Sequence, residues 1–285
     1  MSERYALVTG CGPGGIGEAL VLEFQRRGLT VIATLLPNEA REELELNDII
    51  CLDLDVTSEE SVQMLRKTVD KLTGGRLDVL VNNAGICYTM TAIDTDVKKV
   101  QAMFDVNVFG PMRMVHEFHP LLIKARGTIV NIGSVGGLVP YTYGSSYNAS
   151  KAALHHWGDT TRVELAPLEV KVLTIISGNI GTNILKHDAH RNLPPNSYYS
   201  PLASEFQEHV RRKPKTTHRS TYAKNVVSQC LGTNPPAWFW FGETTTLVRL
   251  VDVIGFRKLW DYILWPVFNL GKLRRDTRAR MAEKT

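Results

Sequence analysis

Short apolar runs that alternate with helical patterns constrain the fold of this chain more than any other feature. Runs that are apolar along most of their length are typical of strands buried on both faces of a parallel sheet. The alternation predicts an α/β fold in which helices cover both faces of a doubly wound sheet. We predict about seven strands, at Tyr5–Thr9, Thr30–Thr34, Asp48–Leu54, Val79–Asn82, Thr128–Ile132, Val170–Ser177 and Trp238–Phe241. Helices are predicted at 17–28, 39–46, 58–72, 96–125, from about 145, and at 222–231.

The regular alternation ends near Thr182. Residues 183–220 are richer in polar residues and contain Pro194-Pro195 and a basic cluster from Arg211 to Lys215. A long irregular insertion in an α/β enzyme is typically a binding loop, so we predict a substrate lid there. The basic cluster is also explained by a solvated surface, with contact to a substrate phosphate as the alternative. Residues 1–245 are predicted to form one domain that includes this lid.

Residues 246–285 are predicted to form a C-terminal helical extension with apolar residues at near-helical spacing. Its basic tail from Lys272 onwards is expected to fray. An apolar helical stripe is most often buried in its own protein or against a sister subunit, and we expect a homo-oligomer. Contact of residues 246–271 with a membrane or lipid surface ranks second, and a part in the substrate lid stays open.

Charge and cysteine usage exclude several function classes. A formal net charge of +4 over 285 residues is too small to indicate a nucleic-acid partner. The four cysteines lie far apart without a C-x-x-C pair, which predicts a reduced protein with neither a disulfide framework nor a metal site. The chain starts without a signal-peptide pattern, and its longest late uncharged run, Tyr262–Leu270, is far shorter than the ~20 residues of a membrane span. We therefore expect a cytoplasmic protein, with peripheral association to endoplasmic reticulum or lipid droplets as the second choice.

A glycine-rich turn from Thr9 to Gly17 connects the first predicted strand to the first helix. Glycines there let the backbone turn tightly and approach a pyrophosphate, which the amides at the start of the helix then bind. In a β-α series this position is much stronger evidence than a glycine-rich sequence alone. The turn predicts a Rossmann-type fold that binds a dinucleotide.

The end of the second strand is where such folds select their dinucleotide. An acid there holds a ribose hydroxyl of NAD, and an arginine takes the 2′-phosphate of NADP. This chain has Thr34-Leu35-Leu36, which is neither, and its first carboxylate is Glu39. Arg41 reaches a phosphate only if the loop folds back, and is otherwise a helix-surface charge. The sequence favours NADP and leaves NAD open.

The stretch from Ser134 to Lys151 carries the candidate chemistry. Tyr147 and Lys151 are four residues apart and share one face of a predicted helix. An ammonium close to a phenol favours the phenolate, so we expect Lys151 to lower a pKa that is ordinarily near 10. Ser134, on the loop after a strand, is placed to bind the same substrate oxygen. A surface pair and a turn serine are the plainer interpretation of these residues.

With these pieces in order, the chain resembles the short-chain dehydrogenase/reductase family from roughly Arg4 to Asn183. The resemblance rests on the glycine turn, which is one residue longer than the commonest form, and on four further motifs. These are Asp55-Val56, Asn82-Asn83-Ala84-Gly85, Asn107, and the set Ser134, Tyr147 and Lys151. Two departures are Ser177–Thr182, where the family has P-G-x-I-x-T, and Leu35 or Leu36 in place of an arginine. The missing proline predicts a looser backbone after the sixth strand.

The resemblance implies a role for each matched residue. Tyr147 is implied as the general acid in reduction, or the base in oxidation, with Lys151 lowering its pKa and binding the nicotinamide ribose. Ser134 is implied to hold the carbonyl oxygen, and Asn107 to bend its helix and hold a water that links Lys151 to solvent. The implied cofactor-binding set is Gly10, Gly12, Gly15, Ile16, Gly17, Leu36, Asp55, Val56, Asn83, Ala84, Gly85, Asn107, Tyr147, Lys151, Gly178, Ile180 and Thr182.

A narrower similarity concerns the NADPH-dependent 1-acyldihydroxyacetone-phosphate reductases and their relatives. It rests on C-G-P-G-G-I-G, Trp238–Gly242 and Phe268–Leu273. It implies reversible reduction of a bulky apolar ketone, such as a lipid, terpenoid, steroid-like or polyketide substrate. The aromatic residues Tyr141, Tyr143, Tyr198, Tyr199 and the stretch Trp260–Phe268 either line such a pocket or pack in the core. The alternative functions are a non-reductive isomerisation or dehydration, and a dinucleotide-binding lipid-surface protein without turnover.

Overall fold

The computed structural model describes residues 3–184 and 188–282. Within them, seven strands form one parallel sheet in the order β3-β2-β1-β4-β5-β6-β7. This confirms the predicted doubly wound sheet. The strands are β1 Tyr5–Val8, β2 Thr30–Leu35, β3 Ile50–Asp53, β4 Val79–Asn82, β5 Thr128–Ile132, β6 Lys171–Ser177 and β7 Trp238–Phe241.

The helices follow the strands in the predicted alternation. They are α1 Ile16–Arg26, α2 Glu42–Glu45, α3 Glu59–Thr73, α4 Val97–Phe104, α5 Gly110–Ala125, α6 Ser145–Leu165, α7 Ala203–Val210, α8 Arg219–Cys230, α9 Thr245–Ile254, α10 Leu259–Val267 and α11 Leu270–Ala282. A π-helical segment, Asp105–Phe109, joins α4 to α5. The predicted single helix over 96–125 is therefore two α-helices with this segment between them.

Alternating strand side chains build a core on each face of the sheet. On one face Ala6 and Val8 of β1 belong to the core cluster that includes Phe24 of α1 and Val227 of α8. On the other face Leu7 belongs to the cluster formed with α3 and α5. Because β2 and β4 lie on opposite sides of β1, the chain leaves the carboxyl ends of β1 and β4 in opposite directions. A cleft forms at such a switch point, and the site described below lies there.

A helix and a strand begin later along the chain than predicted, because the local backbone is folded differently just before each of them. The second helix begins at Glu42 rather than Glu39, since residues 36–39 close a turn in which the Glu39 carboxylate accepts the Leu36 N–H at 2.8 Å. The third strand begins at Ile50 rather than Asp48. Asp48 has a left-handed φ of 56°, which breaks the extended run.

The lid and the extension pack on each other in a third core cluster. Phe206 and Val210 of α7 are buried there with Val248 of α9 and Trp260 and Leu264 of α10. Residues 185–187 of the predicted lid lie outside the described part of the chain. No helix in that described part has the length and apolarity needed to cross a bilayer.

The predicted fraying of the tail from Lys272 was wrong as far as Ala282, because α11 is tied to the lid. Lys272 forms an ion pair with Glu205 at 3.0 Å, and Asn269 donates to the same carboxylate at 3.1 Å. Arg280 donates to the Ser200 hydroxyl at 3.2 Å. Residues 283–285 lie outside the described residues.

Candidate active site

Helix α6 brings Tyr147 and Lys151 together on one face, as the spacing predicts. The Lys151 ammonium lies 5.8 Å from the centroid of the Tyr147 ring. Lys151 is buried, and its Nζ donates a hydrogen bond to the Ile132 carbonyl at 2.9 Å. The ammonium is thereby fixed at the carboxyl end of β5, next to the loop that carries Ser134.

Burial dominates the protonation of this pair. It raises the pKa of Tyr147 above its ordinary value, while a hydrogen bond with Ser134 acts in the opposite direction. Burial also lowers the pKa of Lys151 from 10.5 to about 8. The expected lowering of the Tyr147 pKa by Lys151 was therefore wrong in its net direction. The phenol keeps its proton at neutral pH, which suits a proton donor.

Ser134 follows β5 after one glycine and starts a single helical turn, Val135–Gly137. Its Oγ accepts the Gly136 N–H at 3.0 Å. The oxygen is therefore an acceptor inside the loop, and the same hydroxyl forms the hydrogen bond with Tyr147 noted above. A Cβ on Gly136 would lie 3.3 Å from the Tyr147 ring, so the loop packs directly on that ring.

Asn107 lies in the π-helical segment and connects the loop after β4 to α6. Its Oδ1 accepts the Ile86 N–H and its Nδ2 donates to the Ile86 carbonyl, both at 2.9 Å. The same Nδ2 donates to Ser150 Oγ at 3.1 Å, and Ser150 Oγ donates to the Tyr147 carbonyl at 2.8 Å. A Cβ on Gly85 would lie 3.3 Å from Asn107 Oδ1 and 3.7 Å from Lys151 Nζ. We call Asn107, Ser134, Tyr147 and Lys151 the Tyr147 end of the cleft.

The glycine turn is interlocked with the Asn82–Gly85 loop. Gly10 has a left-handed φ of 68°, and a Cβ on it would lie 2.8 Å from Ala84 Cα. Asn83 Nδ2 donates to the carbonyls of Thr9 and Gly10 at 2.8 Å each. A Cβ on Gly17 would lie 2.7 Å from that Nδ2.

The glycine turn fits a pyrophosphate. Positions 10–17 include five glycines, among them Gly12 and Gly15, and no described side chain caps α1, whose first residue is Ile16. The first amides of this helix are therefore available to an anion.

The end of β2 differs from the buried surroundings of Lys151, because its charged side chains are partly exposed. A Cβ on Gly12 would lie 2.6 Å from Glu39 Oε1, so this carboxylate covers the turn. Arg41 is paired with Asp53 at 2.6 Å, and Leu36 is 48% exposed. We call Gly12, Leu36, Glu39 and Arg41 the β2 end of the cleft. The loop after β2 folds back on the turn, but the side chain it brings there is the carboxylate of Glu39, while Arg41 is paired with Asp53.

The remaining predicted cofactor residues lie around the rim of the cleft. Asp55 binds the amide and hydroxyl of Thr57 at 2.9 and 2.7 Å, so its carboxylate organises its own turn. Val56 is buried against Gly110.

The segment after β6 holds Gly178, Ile180 and Thr182. It is hydrogen-bonded on both sides, from Asn179 N–H to the Glu243 carbonyl and from Gly181 N–H to the Thr217 carbonyl. The looser backbone expected there without the family's proline is not observed.

Aromatic residues predicted to line a substrate pocket divide into two groups. Tyr143 is buried and makes edge-on contacts with Phe206 and Phe268 at 5.1 and 5.5 Å between centroids, which is core packing. Tyr141 also contacts Phe268 edge-on, at 5.0 Å, whereas Tyr198 is 65% exposed.

The sequence analysis did not predict a role for two buried residues near the site, Asp188 and His155. Asp188, in the lid, accepts the Thr89 N–H at 2.8 Å and pairs with Arg191, so it ties the lid to the loop after β4. Nothing in the sequence marks it. His155 contacts the Ser134 loop, and its spacing of four residues from Lys151 was a signal that could have found it.

Residues 4–192 match the family model described as short chain dehydrogenase. The chain belongs to this family. The short-chain dehydrogenase virD of Hypocrea virens is 62% identical over 95% of each chain. An NADPH-dependent 1-acyldihydroxyacetone phosphate reductase of Schizosaccharomyces pombe is 36% identical over 89% of this chain and 90% of its own.

A solved short-chain dehydrogenase of Streptomyces avermitilis superimposes with a TM-score of 0.76 at 26% identity, covering 97% of this chain and 99% of its own. Together these matches confirm the predicted family and fold, and the protein is an oxidoreductase of this family.

Proposed function

We propose that the protein interconverts a ketone and a secondary alcohol, with NADP(H) as its cofactor. The observation that carries this proposal is the Tyr147 end of the cleft, where a protonated phenol, a fixed ammonium and the Ser134 hydroxyl meet. A carbonyl oxygen bound there accepts a hydrogen bond from Ser134 and a proton from Tyr147. Preorganised donors of this kind stabilise the charge that develops on that oxygen.

The bound nicotinamide would supply the hydride, and the protein supplies orientation and the proton. Because burial raises the pKa of Tyr147, the phenol gives up its proton only to a strong base such as an alkoxide. Such an alkoxide would form when hydride reaches a carbonyl carbon, and the same phenolate would take the proton back in the reverse reaction. Reduction is the proposed direction because the proposed cofactor is NADPH. Lys151 offsets the negative charge left on Tyr147, and Asn107 fixes the helix that carries both.

NADP is proposed over NAD because the reductase of Schizosaccharomyces pombe is NADPH-dependent and because Arg41 lies between β2 and α2. Binding of a 2′-phosphate by Arg41 requires that it leave Asp53, and the Glu39 carboxylate opposes the phosphate. The remaining predicted cofactor residues would hold the pyrophosphate, the adenine and the nicotinamide around the rim described above.

The proposed substrate is bulky and apolar, of the lipid, terpenoid, steroid-like or polyketide class. The apolar cluster shared by lid and extension supports this, as does the relative that acts on an acylated dihydroxyacetone phosphate. The alternatives, isomerisation or dehydration without net reduction, would form product while NADPH stays constant. A binding protein without turnover would bind NADPH and leave every ketone unchanged.

The deciding experiment follows NADPH oxidation with a panel of apolar ketones in the wild type and in Tyr147→Phe. The variant keeps the ring and its packing and loses only the transferable proton. We expect the rate to fall by about 10³-fold, within the range for general acid catalysis, while NADPH binding measured by fluorescence is unchanged. Equal rates in both proteins would refute the proposed role of Tyr147, and an inactive wild type that binds NADPH would favour the binding protein.

A homo-oligomer and contact with a lipid surface are proposed for the extension. Its exposed apolar residues include Leu247, Leu250, Val253, Ile254, Phe256, Tyr262, Trp265 and Val267. Residues 246–285 carry nine Lys and Arg against four Asp and Glu, a net charge of +5, whereas the whole chain carries +4. An apolar surface among basic residues suits either a sister subunit or an anionic lipid interface, with the subunit ranked first.

Two measurements separate these partners. Light scattering after size exclusion gives the oligomeric state, and sedimentation with phosphatidylcholine vesicles, with and without phosphatidylserine, gives lipid binding. Val253→Asp is expected to weaken whichever contact exists, while Leu46→Asp, at an 85% exposed leucine outside the extension, serves as the control. A monomer that binds neither kind of vesicle would contradict both proposals. It would also contradict a peripheral association with endoplasmic reticulum or lipid droplets.

A further inference from the structure

His155 is a residue of helix α6, and its side chain packs against the Ser134 loop. It is buried, and its Nε2 accepts the backbone N–H of Ser134 at 3.2 Å. On the other side its ring meets Trp238 edge-on, with 5.3 Å between ring centroids. Since His155 follows Tyr147 by eight residues and Lys151 by four, one helix carries the phenol, the ammonium and this imidazole on successive turns.

The Ser134 loop is shaped around the imidazole by two glycines. A Cβ on Gly137 would lie 2.5 Å from His155 Cε1, and one on Gly133 would overlap Nε2. Neither glycine has a left-handed backbone, so close approach to the ring, rather than a special φ, is what requires glycine here. The ring therefore sets the distance between the loop and α6.

The imidazole is held in one protonation state. An Nε2 that accepts an N–H must be unprotonated, so the neutral ring carries its proton on Nδ1, which has no hydrogen-bond partner among the described residues. Burial and the charge of Lys151 both disfavour a second proton and lower the pKa of His155 to about 3. The acceptor at Nε2 is available throughout the neutral range.

We propose that His155 is a positioning residue that holds the Ser134 hydroxyl against Tyr147. Ser134 is fixed at two points, its N–H by His155 and its Oγ by Gly136, and its hydroxyl in turn forms the hydrogen bond with Tyr147. A displacement of ~1 Å in such a group costs about 10²-fold in rate. The proposal rests on the carbonyl-reducing function proposed above, through the role given there to Ser134.

The test compares His155→Leu with the same substitution at the next residue, the exposed His156. His155→Leu fills a similar volume with an apolar side chain and removes the acceptor. We expect its kcat to fall about 10- to 100-fold, with the dissociation constant for NADPH unchanged. His156→Leu should match the wild type, and His155→Gln, which offers an acceptor oxygen at similar reach, should recover part of the rate.

A double-mutant cycle with Ser134→Ala separates positioning from general destabilisation. If His155 acts through the Ser134 hydroxyl, His155→Leu adds little to the loss in the Ser134→Ala background. Additive losses in kcat, or a His155→Leu enzyme with wild-type kcat, would overturn the proposal.

A readout without turnover keeps this test apart from the proposed function. Hydrogen exchange of the amides at residues 133–139 should be faster in His155→Leu and unchanged in His156→Leu. Unchanged exchange in His155→Leu would also overturn the proposal. Faster exchange in a protein that reduces no ketone would instead leave His155 as the loop anchor and reject the carbonyl reaction.

Discussion

The Tyr147 end of the cleft is largely buried and held by fixed hydrogen bonds, whereas the β2 end is partly exposed and held by surface charges. At the Tyr147 end, Lys151 and Asn107 are buried, and their polar atoms bond to backbone and side chains fixed by the sheet. At the β2 end, Leu36 is half-exposed and Arg41 lies in a surface ion pair. A surface ion pair contributes only ~0–1 kcal/mol, so it is readily exchanged for another partner.

This difference in burial suits the Tyr147 end to catalysis and the β2 end to the selection of the cofactor. A reacting centre gains from groups that need no rearrangement at the moment of reaction, and the packed Tyr147 end meets that need. Selection between two cofactors that differ by one phosphate requires only a choice of charge partner. We infer that substitutions that disturb the packing of the Tyr147 end will change stability and rate together, whereas those at the β2 end will change cofactor binding with little effect on stability.

The largest expected effect is that of Gly133→Ala. Its Cβ would overlap His155 Nε2 and lie 2.7 Å from the Ile175 carbonyl oxygen, and neither the strand backbone nor the enclosed ring has room to move. We expect a loss of about 3 kcal/mol in the free energy of unfolding, at the upper end for overpacking, together with a large fall in kcat. Urea denaturation measures the first and NADPH oxidation the second. Wild-type stability would show that the Tyr147 end is less rigid than its packing indicates.

The second prediction concerns Lys151 and pH. Its pKa in the folded protein is lowered to about 8, whereas the unfolded chain holds that proton up to 10.5. The unfolded state therefore binds more protons between these values, and stability attributable to Lys151 rises with pH across this window, by ~3 kcal/mol at most.

Comparison with Lys151→Met isolates this contribution from the tyrosines and cysteines that titrate in the same range. The difference in unfolding free energy between wild type and Lys151→Met should rise in favour of the wild type from pH 8 to pH 10. A difference that is flat in pH would mean that Lys151 is not buried as a cation.

The third prediction moves to the β2 end. Glu39→Gln removes the carboxylate that covers Gly12 and keeps an acceptor for the Leu36 N–H, while Arg41→Ala removes the proposed phosphate partner. We expect Glu39→Gln to raise and Arg41→Ala to lower the preference for NADPH over NADH by about 10-fold each, as for one charge-assisted contact. Fluorescence titration with both cofactors measures it. Equal shifts for NADPH and NADH would exclude these residues from selection.

The same contrast explains what could be predicted from sequence. Tyr147 and Lys151 were found because helical spacing alone puts them on one face, and Gly10 and Gly17 because a tight turn after a buried strand requires glycine. The net direction of the Tyr147 pKa was missed, since it depends on how much protein surrounds the phenol. His155 shares the helical spacing, but its importance comes from a loop that ends eighteen residues earlier along the chain, at Gly137.

Contacts between distant residues account for the other differences. Whether α11 frays depends on Glu205 and Ser200, which lie more than sixty residues away along the chain. Similarly, the carboxylate of Glu39 reaches Gly12 because residues 36–39 form a hydrogen-bonded turn. The spacing of apolar residues in the sequence does not predict that turn.

The smallest expected effect is that of Gly12→Ala on stability, and it is the sharpest counterpart to Gly133→Ala. Its Cβ would lie 2.6 Å from Glu39 Oε1, about as close as the contact at Ile175, but the obstacle is the end of a flexible, partly exposed side chain. The carboxylate can rotate away, so the free energy of unfolding should change by no more than ~0.5 kcal/mol. NADPH binding should weaken, because a methyl group then projects into the pyrophosphate turn. Because both variants add one methyl group at similar distances, a large loss of stability in Gly12→Ala would mean that the β2 end is as rigid as the Tyr147 end.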